Sequence, residues 1–179
     1  MGPVHATRGS RPDAKPWLRT LRLLLPLLIG ACAAHFDGSL FSKRDVAYRV
    51  GSLDAGFRRV HIEDNDLAFY KPGAGSIAVN ASCRDHEDVP QSALVNHLLF
   101  GTTQRAFLTD EEVTLDGRGA RHVIVDAELD GVPVRLELYV LTRAHCVFDL
   151  SYVSDRSAAG RAQFAAFVRD FHIEEVRLD

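Results

Sequence analysis

Two polar segments contain the side chains best suited to binding a metal ion. Residues 61–66 read His-Ile-Glu-Asp-Asn-Asp, and residues 85–88 read Asp-His-Glu-Asp. Imidazole nitrogens and carboxylate oxygens bind zinc, but a catalytic zinc site usually takes about three protein ligands at a defined spacing, such as His-Glu-x-x-His. That spacing does not occur in the sequence. Because acidic turns are usually solvated, we interpret both segments as surface turns and predict neither a metal site nor a cofactor.

The serine residues give no sign of nucleophilic catalysis. A nucleophilic serine needs an activating base and an oxyanion site, and the Gly-x-Ser-x-Gly elbow is absent from the sequence. Asp149 and Ser151 alternate with Phe148 and Leu150, so in a strand the two polar side chains project from the face opposite the apolar ones. Gly73-Ala74-Gly75 lacks the lysine and the helix of a phosphate-binding loop. We therefore predict that the chain is not an enzyme.

The remaining reactive side chains are three cysteines, and the first of them follows a short apolar run. The run from Leu23 to Ala31 is about nine residues long, whereas a membrane-spanning helix needs about twenty. The preceding region carries five basic residues and one acidic residue: Arg8, Arg11, Lys15, Arg19, Arg22 and Asp13. This is the layout of a secretory signal. Residues 1–31 are therefore predicted to be a signal peptide.

The end of this signal, Ile29-Gly30-Ala31-Cys32, resembles the lipobox of bacterial lipoproteins. The resemblance implies that the chain is cut before Cys32, that the Cys32 sulfur receives a diacylglyceryl group, and that the new amino terminus is acylated, for example with palmitate. Several acyl chains, at about 0.8 kcal/mol for each buried methylene, form an anchor that does not readily dissociate. The membrane is then a partner through the acyl chains on Cys32. An ordinary cleaved signal with a chance cysteine is the alternative.

The residue after the lipidated cysteine bears on the location of the protein. Residue 33 is Ala rather than Asp. By analogy with Gram-negative lipoproteins, Ala at this place disfavours retention in the inner membrane. The resemblance therefore implies a lipid-anchored protein of the cell envelope, at the periplasmic face of the outer membrane.

The other two cysteines are Cys83 and Cys146. If Cys32 is a thioether, only these two can pair, and in an oxidising periplasm we expect them to form a disulfide. Closing a loop of about 64 residues would contribute roughly 4 kcal/mol in the chain-entropy model. Neither cysteine belongs to a Cys-x-x-Cys motif, which argues against a redox catalyst. Two buried free thiols are the alternative.

The charge balance excludes one class of partner. The chain has 21 basic and 24 acidic residues, and removing the five basic residues and one acidic residue of the signal leaves 16 and 23, a net charge near −7. A chain this acidic is not expected to bind nucleic acid or to be held by anionic lipid headgroups.

The hydrophobic pattern predicts one α+β domain. Residues 32–44 show no clear period and are predicted to be a tether, with a single domain over residues 45–179. Short strands are predicted before Cys83, and a helix from Pro90 or Ser92 to about Phe100, ended by Gly101. Alternating residues between 122 and 152 predict three antiparallel strands with one buried face. A closing helix is predicted over residues 157–171, with its apolar stripe at Phe164, Phe167, Val168 and Phe171.

This order of elements resembles the Mog1/PsbP-like family. The resemblance is carried by the hairpin of Asp66–Tyr70 and Gly75–Val79, the middle helix, the strands between Gly117 and Tyr152, and the closing Phe164-x-x-Phe167-Val168-x-x-Phe171 helix. It implies a curved antiparallel sheet of about six strands covered by two main helices. It also implies a binding or assembly role, because the family is mostly non-enzymatic.

We therefore expect a lipid-anchored, non-catalytic envelope lipoprotein that acts as a protein-binding or assembly module, with an envelope protein of unknown identity as its partner. The alternative is a periplasmic binding module for a lipid or another apolar small molecule, held in the interior near Phe148 and Phe164. A hydrolase is a third possibility, which requires a cleft that gathers a histidine with a serine or with carboxylates.

Overall fold

The computed structural model describes Gly2 and residues 34–83, 89–157 and 159–177 of the 179-residue chain. The chain divides into two units, residues 1–31 and 32–179, and the fold given below is that of the second. The predicted signal peptide (apart from Gly2), the predicted lipidation at Cys32 and the acidic segment 85–88 lie outside the described residues. Among the described residues, no helix has the length and apolar character needed to cross a bilayer.

The described residues form two antiparallel sheets and two helices. In chain order these are β1 (His35–Phe36), β2 (Leu40–Ser42), β3 (Val46–Arg49), β4 (Arg58–Val60), β5 (Leu67–Lys71), β6 (Gly75–Ser82), α1 (Gln91–Leu98), β7 (Thr102–Leu115), β8 (Arg118–Leu129), β9 (Val132–Arg143), β10 (Cys146–Ser154), α2 (Arg161–Arg169) and β11 (His172–Val176). The small sheet has the order β1-β2-β3-β11, and the large sheet has the order β4-β5-β6-β10-β9-β8-β7. The prediction of about six strands was wrong, because the chain is mainly β, with sheets of four and seven strands.

Residues 35–42, which fall in the predicted tether, form β1 and β2 of the small sheet. Phe41 is 1% exposed, and its ring stacks on Tyr48 of β3 at 5.0 Å between ring centres. Strands of two and three residues are too short to show a period, which is why the sequence pattern missed them. This part of the chain therefore belongs to the folded domain.

The longer elements lie where the pattern predicted them. α1 falls within the predicted helix, and Gly101, with φ +85°, takes the left-handed conformation expected just past a helix end. α2 buries Phe164, Phe167 and Val168 on one side. β8, β9 and β10 pair in sequence as an antiparallel meander.

The large sheet is covered on both faces, so the prediction of a single buried face was wrong. The side chains of Val123 in β8 and Leu138 in β9 lie on the face covered by α1. Phe148 and Leu150 of β10 lie on the opposite face, in a core formed with α2 and the small sheet. Alternation within one strand shows which residues share a face, but only the register between strands shows which face that is.

Candidate functional site

A groove lies on the α1 side of the large sheet, beside the helix and above β6 and β10. It consists of two adjoining cavities of about 440 and about 660 Å³ that share several lining residues: Asp64, Asn65, Asn80, Ser82 and His97. The first cavity is also lined by Leu94, Leu98, Val147 and Asp149, and the second by Lys43, Asp45, Asp66, Ala81 and Cys83. We call the two cavities together the α1 groove.

The polar floor of the α1 groove follows from the alternation of β6 and β10. Phe148 and Leu150 are fully buried on the far side of β10, so Asp149 between them points to the α1 side. In β6, Val79 and Ala81 are likewise buried on the far side, so Asn80 between them points toward the groove. Asn80 and Asp149 are direct partners in the β6–β10 register. The predicted separation of Asp149 from its apolar neighbours is therefore confirmed.

The groove has one apolar wall and one polar wall. Leu94 and Leu98 project from α1, and Val147 lies at the start of β10, so these three side chains form an apolar surface. Asp64 and Asn65 face it from the turn that precedes β5. The groove can therefore contact a ligand that is apolar along one side and polar along the other.

The lysine at the groove is already engaged in an ion pair. Lys43 Nζ lies 2.7 Å from Asp66 Oδ1 and donates to the Ala81 carbonyl oxygen at 2.5 Å. Asp66 Oδ2 accepts hydrogen bonds from the Ala81 amide at 2.9 Å and from the Tyr48 hydroxyl at 3.4 Å. Because Tyr48 belongs to the small sheet and Ala81 to the large one, Asp66 links the two sheets. Its role is structural.

Asp149 differs from Asp66 because it lacks a cation. Among the described residues, no lysine, arginine or histidine makes an ion pair with it. Burial, together with the negative charge of Asp66, raises the pKa of Asp149 to about 7, and the hydrogen bond with Asn80 and the charge of Lys43 do not offset this. A carboxyl group with a strongly shifted pKa in a cleft is a candidate functional group.

A second buried carboxylate, Glu137 of β9, lies on the opposite face of the sheet and is fully paired. Its two oxygens lie 3.0 Å from His122 Nε2 and from Arg161 Nε. His122 Nδ1 lies 3.1 Å from Glu111 Oε1, and the His122 ring stacks on Tyr139 at 4.3 Å between ring centres. These contacts join β7, β8, β9 and α2, so we assign this cluster a structural role.

The structure brings together only part of what the sequence singled out. Asp64 and Asp66 of the segment 61–66 line the groove, and Cys83 and Cys146 are joined by a disulfide at its edge. Among the described residues, no three His, Cys, Asp or Glu side chains are placed to hold a metal ion. The sequence motifs do not identify Asn80, and His97, which the apolar helix pattern predicts to be partly buried, is exposed.

The interior proposed for an apolar ligand is filled by aromatic rings. Phe148 and Phe164 are both 0% exposed. The Phe148 ring packs on Phe171 at 6.0 Å, and the Phe164 ring packs on Tyr152 at 5.5 Å. The space around these two residues is therefore occupied by the protein's own side chains.

A second exposed surface lies at the β8–β9 hairpin. Leu129 and Val132 are register partners at the hairpin end and are 41% and 60% exposed, and Phe100, just before β7, is 87% exposed. We call these three residues the hairpin patch. It is apolar and contains no titratable group, so it offers contact area without the polar groups of the α1 groove.

Comparison with known proteins shows the fold of the chain. Neither a family model nor a curated protein matches the sequence. The structure of cyanobacterial PsbP (CyanoP) from Synechocystis is similar with a TM-score of 0.50 and 15% identity, over 81% of this chain and 98% of that one. The fold is therefore PsbP-like, as the order of elements predicted.

Two further structures are similar at lower identity. A protein from Bacteroides thetaiotaomicron has a TM-score of 0.51 and 11% identity over 74% of this chain, and this chain spans only 46% of its length. LpqN of Mycobacterium tuberculosis, described as involved in cell envelope biogenesis, has a TM-score of 0.49 and 12% identity over 79% of this chain and 89% of that one. At these identities the likeness concerns the fold alone.

Proposed function

We propose that the chain is a non-catalytic binding module of the cell envelope, anchored by acyl chains on Cys32, and that the α1 groove holds its partner protein. The observation that carries this proposal is Asp149, a carboxyl group at the floor of an open groove that makes no ion pair with any residue the structure describes. Burying an unpaired carboxylate weakens the folded state. Residues that lower stability at a concave site are typical of function.

Two further features support the location that we propose, the periplasmic face of the outer membrane. The Cys83–Cys146 disulfide suits an oxidising compartment. The lipobox-like segment that ends at Cys32 would supply the anchor. The PsbP-like fold is compatible with an accessory role.

The binding role is tested by crosslinking from the groove. A photo-reactive residue at position 97, which is exposed on α1, should give a reproducible adduct with a membrane protein. The matched control places the same residue at position 132 in the hairpin patch. An adduct from position 132 alone would show that the partner docks at the hairpin, and no adduct from either position would contradict the binding role.

The anchor is tested separately by labelling. Cells expressing the parent chain and Cys32→Ser are grown with labelled palmitate. We expect label on the parent only, and release of the Cys32→Ser chain from the membrane fraction. Equal labelling of both chains would show that Cys32 is not the acylated residue, without bearing on the groove.

The hydrolase alternative is tested at the same site, because the groove gathers Ser82, His97 and Asp149. His97 is exposed, and among the described residues its side chain makes no hydrogen bond. A nucleophile and its base normally lie within hydrogen-bond reach. We expect no turnover of p-nitrophenyl esters above that of His97→Ala. Turnover that disappears in His97→Ala would contradict a non-catalytic role.

A further inference from the structure

The α1 groove has the size of a small-molecule site rather than of an ion site. Its first cavity, of about 440 Å³, lies within the range of roughly 300–1,000 Å³ that is common for small ligands. A single metal ion needs several ligand atoms converging at about 2.0–2.6 Å. The described residues contain no group of three such ligands. The groove therefore fits a group larger than a bare cation.

The charge of the groove selects a cation over an anion. Of the described residues, four carboxylates line it, at Asp45, Asp64, Asp66 and Asp149, against the lysine Lys43. Lys43 is held by Asp66 and by a backbone carbonyl, and its charge lowers the pKa of Asp149 by less than burial and Asp66 raise it. An anionic ligand would meet net negative charge. A cationic ligand would meet two carboxyl groups, Asp64 and Asp149, that make no ion pair with any described residue.

The Glu137 cluster shows what Asp149 lacks. Glu137 is 4% exposed, and its two oxygens pair with the imidazole of His122 and the guanidinium of Arg161. Asp149 lies beside Asn80 in the strand register, and Asn80 lowers its pKa, but no cation pairs with it among the described residues. A ligand that donates charged N–H groups at this place would give Asp149 the pairing that Glu137 has within the protein.

The apolar wall specifies the rest of the ligand. Leu94, Leu98 and Val147 line the same cavity as Asp64 and Asp149. A methylene chain would bury apolar area against these side chains, at about 25 cal/mol for each Å². An ammonium group at the end of such a chain has three donors, which can reach carboxylates on two sides.

From these observations we infer that the α1 groove binds a primary alkylammonium group, with its nitrogen between Asp64 and Asp149 and its methylene chain along Leu94, Leu98 and Val147. The inference rests on the proposed binding role of the groove. The same chemistry is offered by a lysine side chain of a partner protein and by a free diamine.

Isothermal titration of the mature folded protein with n-pentylamine at pH 8 tests the inference. We expect saturable binding that 1-pentanol does not reproduce. Asp149→Asn should weaken the binding about tenfold or more, as expected for the loss of a charge-assisted hydrogen bond. The matched control is Asp130→Asn in the β8–β9 turn, which should bind like the parent.

Further arms separate the sources and keep the inference falsifiable. Nα-acetyl-lysine methylamide binding more tightly than 1,5-diaminopentane supports a partner's lysine, and the reverse order supports a free diamine. If Asp149→Asn does not fold, Asp64→Asn serves instead, because asparagine tolerates the φ of +67° at that turn. Equal binding of pentanol, unchanged binding in both folded variants, or preference for an arginine analogue would overturn the inference. A crosslinked partner that persists after such a result would leave the proposed binding role intact.

Discussion

Glu137 and Asp149 are two carboxylates on adjacent central strands of one sheet, and they have opposite electrostatic environments. Glu137 of β9 faces α2 and lies between His122 and Arg161. Burial would raise its pKa, but the hydrogen bond from His122 and the charge of Arg161 outweigh burial and hold the pKa of Glu137 below its usual value. Asp149 of β10 faces the α1 groove, and burial together with Asp66 raises its pKa to about 7.

Under the proposed function, the same fold uses one carboxylate for structure and another for binding. The Glu137 cluster closes on itself, because each charged group has a partner within the protein. Asp149 leaves its charge to be matched from outside, and the groove beside it gives access. The cost in folding free energy is then recovered only when a cation binds.

The largest expected effect concerns the covalent link beside the groove. Cys83 follows the last residue of β6 and lines the groove, and it is bonded to Cys146 at the start of β10. The Cys83→Ser, Cys146→Ser double variant should lose about 4 kcal/mol of unfolding free energy, because its unfolded chain is no longer constrained by the loop. Urea denaturation with and without reductant measures the loss. The reductant should lower the stability of the parent and leave the double variant unchanged.

The second-largest loss of stability is expected when the paired carboxylate, Glu137, is replaced. Glu137→Gln removes the negative charge and leaves His122 and Arg161 without their common partner. We expect a loss of about 2–3 kcal/mol at pH 7, somewhat below the range for fully buried pairs, because Arg161 is half exposed. Chemical denaturation measures it. Glu128→Gln in β8 is the control and should change little, because its half-buried side chain accepts a hydrogen bond from Gln104 that glutamine can also accept. An unchanged stability in Glu137→Gln would show that the cluster contributes none.

Replacing Asp149 is expected to have the opposite effect, a gain in unfolding free energy rather than a loss. The folded protein holds this carboxyl protonated up to a pKa of about 7, whereas in the unfolded chain it ionises near its ordinary pKa of 3.8. The unfolded state is therefore favoured increasingly as the pH rises between these values. Asp149→Asn should stabilise the protein by about 1–2 kcal/mol at pH 8 and hardly at all at pH 4, the gain being limited because water reaches the groove. Destabilisation at pH 8 would contradict the account of an unpaired carboxylate.

The sequence pattern predicted the long elements and the side of β10 on which Asp149 lies. Nine residues of alternating character in β10 and the phenylalanine stripe of α2 are long enough to reveal a period. β1, β2 and β11 are not, since they have two, three and five residues. β2 and β11 are placed by pairing with β3, and β1 by pairing with β2, which no local pattern records.

The α1 groove could not be predicted from spacing, because its residues come from separate segments. Lys43 follows β2, Asp64 precedes β5, Asn80 lies in β6, His97 in α1 and Asp149 in β10. Only the β6–β10 register places Asn80 beside Asp149, and neither strand reveals that register by itself. The cysteine pair was easier, since only Cys83 and Cys146 remained once Cys32 was set aside.

The smallest effect follows from the titration of His122. Burial alone would lower its pKa, but hydrogen bonds to Glu137 and Glu111 outweigh burial and raise the pKa above the ordinary histidine value of 6.5. The stabilisation from this raised pKa is fully present below pH 6.5 and is lost as the pH rises through the folded-state pKa. We therefore expect the stability difference between the parent and His122→Gln to be larger at pH 6 than at pH 9, by about 1 kcal/mol.

The pH dependence distinguishes the two faces of the sheet. Glu111→Gln removes one of the two negative charges beside His122 while Glu137 remains, so the folded-state pKa of His122 should fall and the loss of stability should begin at lower pH. An NMR titration of the His122 ring follows the change directly. Asp149→Asn should leave that titration unmoved, because its side chain lies on the other face. A His122 pKa that shifts in Asp149→Asn would mean that the two carboxylates are coupled through the sheet, and the contrast between a closed cluster and an open groove would fail.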